Sequence, residues 1–148
     1  MEIRNIIGFK LENPGIEFPN FRSLKDDETQ EVRRRLKQKV MLSKDADDLT
    51  LSKQIAVLSV VCNGDNANDD KFNLLEVLRR LEIIPSGLVY LNFYRFDEID
   101  EMSVGDVSRH FKYIWYPHSD DIDIFDSTFK WILSVSHDGI VSLLAITH

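Results

Sequence analysis

Four aspartates and one histidine fall within the short stretch Trp115-Tyr116-Pro117-His118-Ser119-Asp120-Asp121-Ile122-Asp123-Ile124-Phe125-Asp126. Carboxylates bind divalent cations, exchange protons or pair with basic groups, so this is where the chain would do chemistry. Alternation along a strand sorts the segment. Ile122 and Ile124 would face a core, while Asp121 and Asp123 would share the opposite face about 7 Å apart, at ~3.3 Å per residue. Such a pair can bridge a divalent ion or offer an acidic contact to a basic protein. A third expectation needs no ligand: an edge strand whose exposed face is kept acidic to discourage sheet-to-sheet pairing.

No other constellation reaches the spacing that chemistry demands. His110, His118, His137 and His148 form no His-x-x-x-His or Cys/His pattern, so no metal ligand set is expected from them. There is no Gly-x-Ser-x-Gly elbow, and Cys62 has no adjacent base, which argues against nucleophilic catalysis. Neither a Gly-x-Gly-x-x-Gly loop nor a Walker lysine is present, so no cofactor is expected. The oxygen-rich run Asn63 to Asp70 fails as a calcium loop: counted from Asn66, Lys71 stands where glycine is needed and Val77 where a bidentate glutamate is needed. It reads as an Asn/Asp loop capping the next helix.

The chain around these residues has 148 residues, a formal net charge of -7 and one cysteine. That size suits a single domain over 1–148, helical to about residue 84 and sheet from about 85. The acidity excludes a general nucleic-acid binder, which gains affinity by neutralising phosphates, and suits a basic partner. No apolar run approaches the ~20 residues of a membrane span, and the start lacks a secretory pattern, so a cytoplasmic protein is expected.

Helices are predicted over about 26–42, with Val32, Leu36, Val40 and Met41 as its buried stripe; over about 47–62, with Ile55, Leu58, Val61 and Cys62 inward; and over roughly 70–82. Residues 2–12 suit a helix or a strand, ending at Asn13-Pro14-Gly15. Leu88 to Phe96 reads as a strand, Ser103 as the cap of a short helix ending near Phe111, and further strands are predicted over about 113–116, 121–125, 130–136 and 140–147. Asp138-Gly139 marks a tight hairpin between the last two. Helices first and a mostly antiparallel sheet afterwards give α+β, with N-terminal helices packed on a C-terminal sheet that ends in a β-hairpin. Eleven of the fifteen aromatics lie between Tyr90 and Trp131. Aromatics rimmed by carboxylates suit an interface for a basic protein.

Ser119-Asp120-Asp121-Ile122-Asp123-Ile124-Phe125 resembles the Ser-Asp-h-Asp-h-h strand motif of the nucleotidyltransferase superfamily. That resemblance implies magnesium held by Asp121 and Asp123 against a nucleoside triphosphate. The family's phosphate-cradling Gly-Ser turn has no counterpart here, since His110 to Tyr116 contains no glycine. Over Trp115-Tyr116-Pro117, Asp121 to Asp126 and Trp131 to Gly139, the chain resembles the small acidic immunity proteins of bacterial polymorphic-toxin systems. This implies a non-enzymatic bacterial protein that binds a cognate toxin domain, often a basic nuclease, and blocks its active site. The resulting expectation is an intracellular protein-binding domain with Tyr94, Trp115, Tyr116, Asp120, Asp121 and Asp123 as contact residues. Its rivals are a metal-dependent nucleotidyltransferase-like enzyme using Asp121 and Asp123, and a structural or homodimerising domain.

Overall fold

The Asp138-Gly139 hairpin forms as the sequence predicts, joining β6 (Trp131–Val135) to β7 (Ile140–Ala145). Gly139 has a φ of 84°, which other residues adopt only under strain, and the side chains of Asn66 and Asn68 occupy the place a Cβ would take. Around this hairpin the computed structural model, which describes residues 1–93 and 95–146, builds one antiparallel seven-stranded sheet. The remaining strands are β1 (Phe21–Ser23), β2 (Val60–Asn66), β3 (Leu88–Asn92), β4 (Ile99–Ser103) and β5 (Ile122–Phe125). Their order is β1-β4-β3-β5-β6-β7-β2. The fold is α+β, as expected.

Two corrections follow from that order. The acidic strand β5 is not at an edge: it lies between β3 and β6 and pairs along its length with β6. Both edges come instead from the N-terminal half, β1 beside β4 and β2 beside β7. The sheet is therefore not confined to the C-terminal half of the chain.

Among the described residues, six helices cover the two faces. On one lie α4 (Leu74–Arg80), α5 (Val104–Arg109) and α6 (Phe111–Ile114), packed through Leu74, Leu78, Val107 and Ile114 against Val89, Ile124 and Leu133. Helix α1 (Ile3–Glu12) settles the ambiguity of residues 2–12 and docks on α6, where the buried Asn5 side chain donates to the carbonyls of Tyr113 and Ile114 at 2.9 and 3.0 Å. On the other face α2 (Asp26–Lys39) and α3 (Asp48–Leu58) bury Val32, Leu36, Leu51 and Ile55 against Phe125, Ile132 and Leu144. Ridges from α2 and α3 thus cover the side of β5 that carries Phe125.

Several boundaries differ from the sequence expectation for local reasons. The helix expected over 47–62 stops at Leu58, because Val60-Val61-Cys62 leaves it for the edge strand β2; Leu58 and Val61 are exposed rather than inward. Residues 113–116 are not a strand, since the turn of α6 places Phe111 and Trp115 one above the other as stacked rings. Helix α4 is shorter than 70–82, is capped by Asn73, whose side chain accepts from the Glu76 N–H at 3.0 Å, and leaves Leu75 exposed. Met41 lies beyond the end of α2 with a φ of 62° and is exposed. The Ser103 cap forms, its Oγ accepting from the Asp106 N–H.

Candidate functional site

The face of the sheet beneath α2 and α3 changes chemistry from one row of side chains to the next. Tyr90, Phe125, Ile132 and Leu144 stand in register across β3, β5, β6 and β7 and form an apolar row under the helices. Two residues along each strand, on the same face, the register brings together Asn92, Asp123, Ser134 and Ser142. Four neighbouring strands therefore all switch from apolar to polar at one level. Polar groups there are costly unless they are hydrogen-bonded, and Asn92, Asp123 and Ser134 are. The Asn92 amide donates to Asp123 Oδ2 at 2.9 Å, and Ser134 Oγ donates to Asp123 Oδ1 at 2.6 Å. Asn92 Oδ1 in turn accepts from the Phe96 N–H at 3.0 Å, which ties the row to the turn after β3.

This row forms the floor of a cleft of about 320 Å³ that opens between α3 and the ends of the strands. Leu49, Ile55 and Ala56 of α3 and Ile140 of β7 supply apolar walls, and Asp121 and Arg95 stand at the rim. Burial pushes the Asp123 carboxyl above the ordinary carboxylate range, and the hydrogen bonds from Ser134 and Asn92 offset this only in part. Asp121 is exposed and turned toward the hairpin: its Oδ1 accepts from the His137 N–H at 2.7 Å and lies 3.0 Å from His137 Nδ1. That hydrogen bond and charge raise the pKa of His137.

The structure divides the six expected contact residues. Asp121 and Asp123 share a face and line one cleft, although β5 is internal. Trp115 and Asp120 are buried at 3% and 6% exposure and offer no contact surface. Their roles are internal: the Trp115 indole donates to the Asp120 carbonyl at 2.8 Å, and the Asp120 carboxylate accepts from the Tyr116 N–H at 2.9 Å and pairs with Arg4. Tyr116 is half-buried beside Arg4 of α1, outside the cleft. Tyr94 lies outside the described residues.

The other aspartates of the segment are structural too. Asp126 is fully buried and accepts from the Ser86 and Thr128 N–H groups, the Thr128 hydroxyl and the Trp131 indole. Its burial alone would raise its pKa, but these four donors outweigh that and hold it below the ordinary range. Among the described residues, no buried side-chain polar atom lacks a partner, and no three His, Cys, Asp or Glu side chains gather closely enough to hold a metal ion. Asp121 and Asp123 are the pair that could contribute to such a site, but each already accepts hydrogen bonds from its neighbours. Among the described residues, no helix is long and apolar enough to cross a membrane.

Sequence reasoning missed Asn92, Ser134 and Ser142. The signal was present in each strand separately: Tyr90 and Asn92, Ile132 and Ser134, Ser142 and Leu144 are each an apolar and a polar residue two apart on one face. Only the strand register makes them a single row. Comparison of the chain with protein-family models, curated proteins and solved structures finds no match.

Proposed function

We propose that this is a non-enzymatic protein-binding domain that recognises a basic partner through the cleft between α3 and the sheet. The observation that carries this reading is the pair of carboxyls, Asp121 at the rim and Asp123 at the floor, opening into one apolar-walled cleft. A concave site with apolar walls and a few convergent polar groups is the usual form of a binding site. The formal charge of -7 favours a cationic partner and speeds its approach by long-range attraction. Neutralisation of a basic bacterial toxin domain is the specific form of this reading that the sequence resemblance implies. The contact set narrows to Asp121 and Asp123 with the cleft walls, and Trp115 and Asp120 leave it because they are buried.

Selection of peptides displayed on phage against the immobilised protein tests the binding reading. Enriched peptides should be rich in lysine and arginine, bind less well as salt rises, and lose affinity for the Asp121→Ala, Asp123→Ala double variant. Enrichment of neutral or acidic peptides, or equal binding by the double variant, would overturn it.

A further inference from the structure

We infer that the cleft anchors one arginine side chain of the partner protein, with the guanidinium at Asp121 and Asp123 and the methylene stem against Leu49, Ala56 and Ile140. This rests on the proposed function above and adds the chemical identity of the group recognised.

The hydrogen-bonding inventory of the floor selects the head group. The Asn92 amide and the Ser134 hydroxyl each donate to Asp123 and hold its carboxyl in place in the row. Toward the cleft the row keeps acceptor capacity: a carboxylate offers about four lone-pair sites and a serine hydroxyl two. Asp121 adds a further carboxylate at the rim, with one oxygen held by His137. An acceptor-rich floor fits a ligand head that only donates. Guanidinium has five N–H donors in a planar fork and no acceptor, and it loses less hydration than an ammonium when it enters a partly buried site.

Size and wall chemistry select the rest. At about 320 Å³ the cleft lies at the small end of ligand sites, which span roughly 300–1,000 Å³. That is room for one long side chain. The walls of Leu49, Ile55, Ala56 and Ile140 match a three-carbon stem, and Leu49 and Ile140 are 49% and 44% exposed, so their apolar surface is uncovered as the molecule stands. Arg95 at the rim carries the opposite charge to the floor, which makes an anionic ligand the natural competitor and defines the control below.

The test is a titration of the ¹⁵N-labelled full chain with N-acetyl-arginine methylamide, followed by NMR. The amides of Asn92, Asp123 and Ser134 should move together, with a dissociation constant on the order of 1 mM, as expected for so small a ligand. Asp121→Asn, at an exposed position, should weaken binding several-fold without disturbing the fold. Ala56→Trp, also exposed and on the cleft wall, should abolish it. The norleucine and lysine analogues should bind more weakly. The inference is overturned by shifts elsewhere or none, by equal binding of the norleucine analogue, or by preferential binding of the aspartate analogue. If basic peptides are selected through Asp121 and Asp123 while the arginine compound leaves the cleft unmoved, the inference falls and the proposed function stands. If the arginine compound binds but basic peptides are not selected, the proposed function falls, and with it a protein as the source of the guanidinium.

Discussion

Replacing Asp123 by asparagine removes the charge at the floor of the cleft while keeping its shape. Asparagine can accept from Asn92 Nδ2 with its carbonyl and donate to Ser134 Oγ with its amide, so both contacts of the wild type survive in neutral form. Hydrogen bonds to a charged group contribute about 1.5–3 kcal/mol and neutral ones about 0.5–1.5 kcal/mol, so the exchange alone would cost about 1 kcal/mol per bond. Against this stands the desolvation of the carboxylate. The upward direction of the Asp123 pKa says that desolvation exceeds what the two bonds return. Asp123→Asn should therefore match the wild type near neutral pH or exceed it by up to about 1 kcal/mol, the scale of one neutral hydrogen bond.

The sign of the pH dependence follows from the same direction. A carboxyl raised in the folded state stabilises fully below its unfolded pKa, and that contribution is lost as pH rises through the folded value. Wild-type stability should therefore gain on the variant as the solution is acidified from neutral toward the ordinary carboxylate range. Urea unfolding of both proteins at about pH 5 and about pH 8 measures this difference. A variant less stable than the wild type by about 2 kcal/mol or more near neutral pH, with a gap that closes in acid, would refute the reasoning, because Asp123 would then be a stabilising, ionised group whose contribution is lost on protonation.

Asp126→Ala leaves the Trp131 indole, the Thr128 groups and the Ser86 N–H without their acceptor in a buried site and should cost at least about 3 kcal/mol in chemical denaturation. Because the Asp126 pKa is lowered, its contribution is present above the unfolded carboxyl pKa and lost as pH falls through the folded one, so the variant's deficit should shrink in acid. Gly139→Ala should destabilise by about 1–2 kcal/mol or more, from the left-handed backbone and the crowding by Asn66 and Asn68, measured as a lowered urea midpoint. His137 should titrate above its ordinary value by NMR and return toward it in Asp121→Asn, since the Asp121 hydrogen bond is the leading cause of the rise. A raised histidine stabilises below its unfolded pKa and loses that contribution as pH rises through the folded one.

Local pattern carried the α+β class, the Asp138-Gly139 hairpin, the Ser103 cap and the alternation of Asp121 and Asp123, because each depends on residues only a few positions apart. What failed depends on distant pairing. The inference that β5 lay at an edge required knowing that Val60 to Asn66 would leave α3 and pair with β7, and that Phe21 to Ser23 would pair with β4. Val60-Val61-Cys62 continues the apolar spacing of α3, so periodicity could not separate helix end from strand. The candidate site suffered in the same way. Trp115 and Asp120 looked like surface groups because aromatic and acidic residues clustered in sequence, yet α1, remote in the chain, supplies Arg4 to pair with Asp120. Asn92, Ser134 and Ser142 gain meaning only once four strands stand in register.

The central claim is that a basic partner enters the cleft over Asp123 and Asp121. The most direct measurement is amide chemical-shift mapping of the full chain with a selected basic peptide. The largest changes should fall on Asn92, Asp121, Asp123, Ser134 and Ser142 and along α3, and should vanish in the Asp121→Ala, Asp123→Ala variant. Changes centred instead on α1 and α6, on the opposite face of the sheet, would contradict the account.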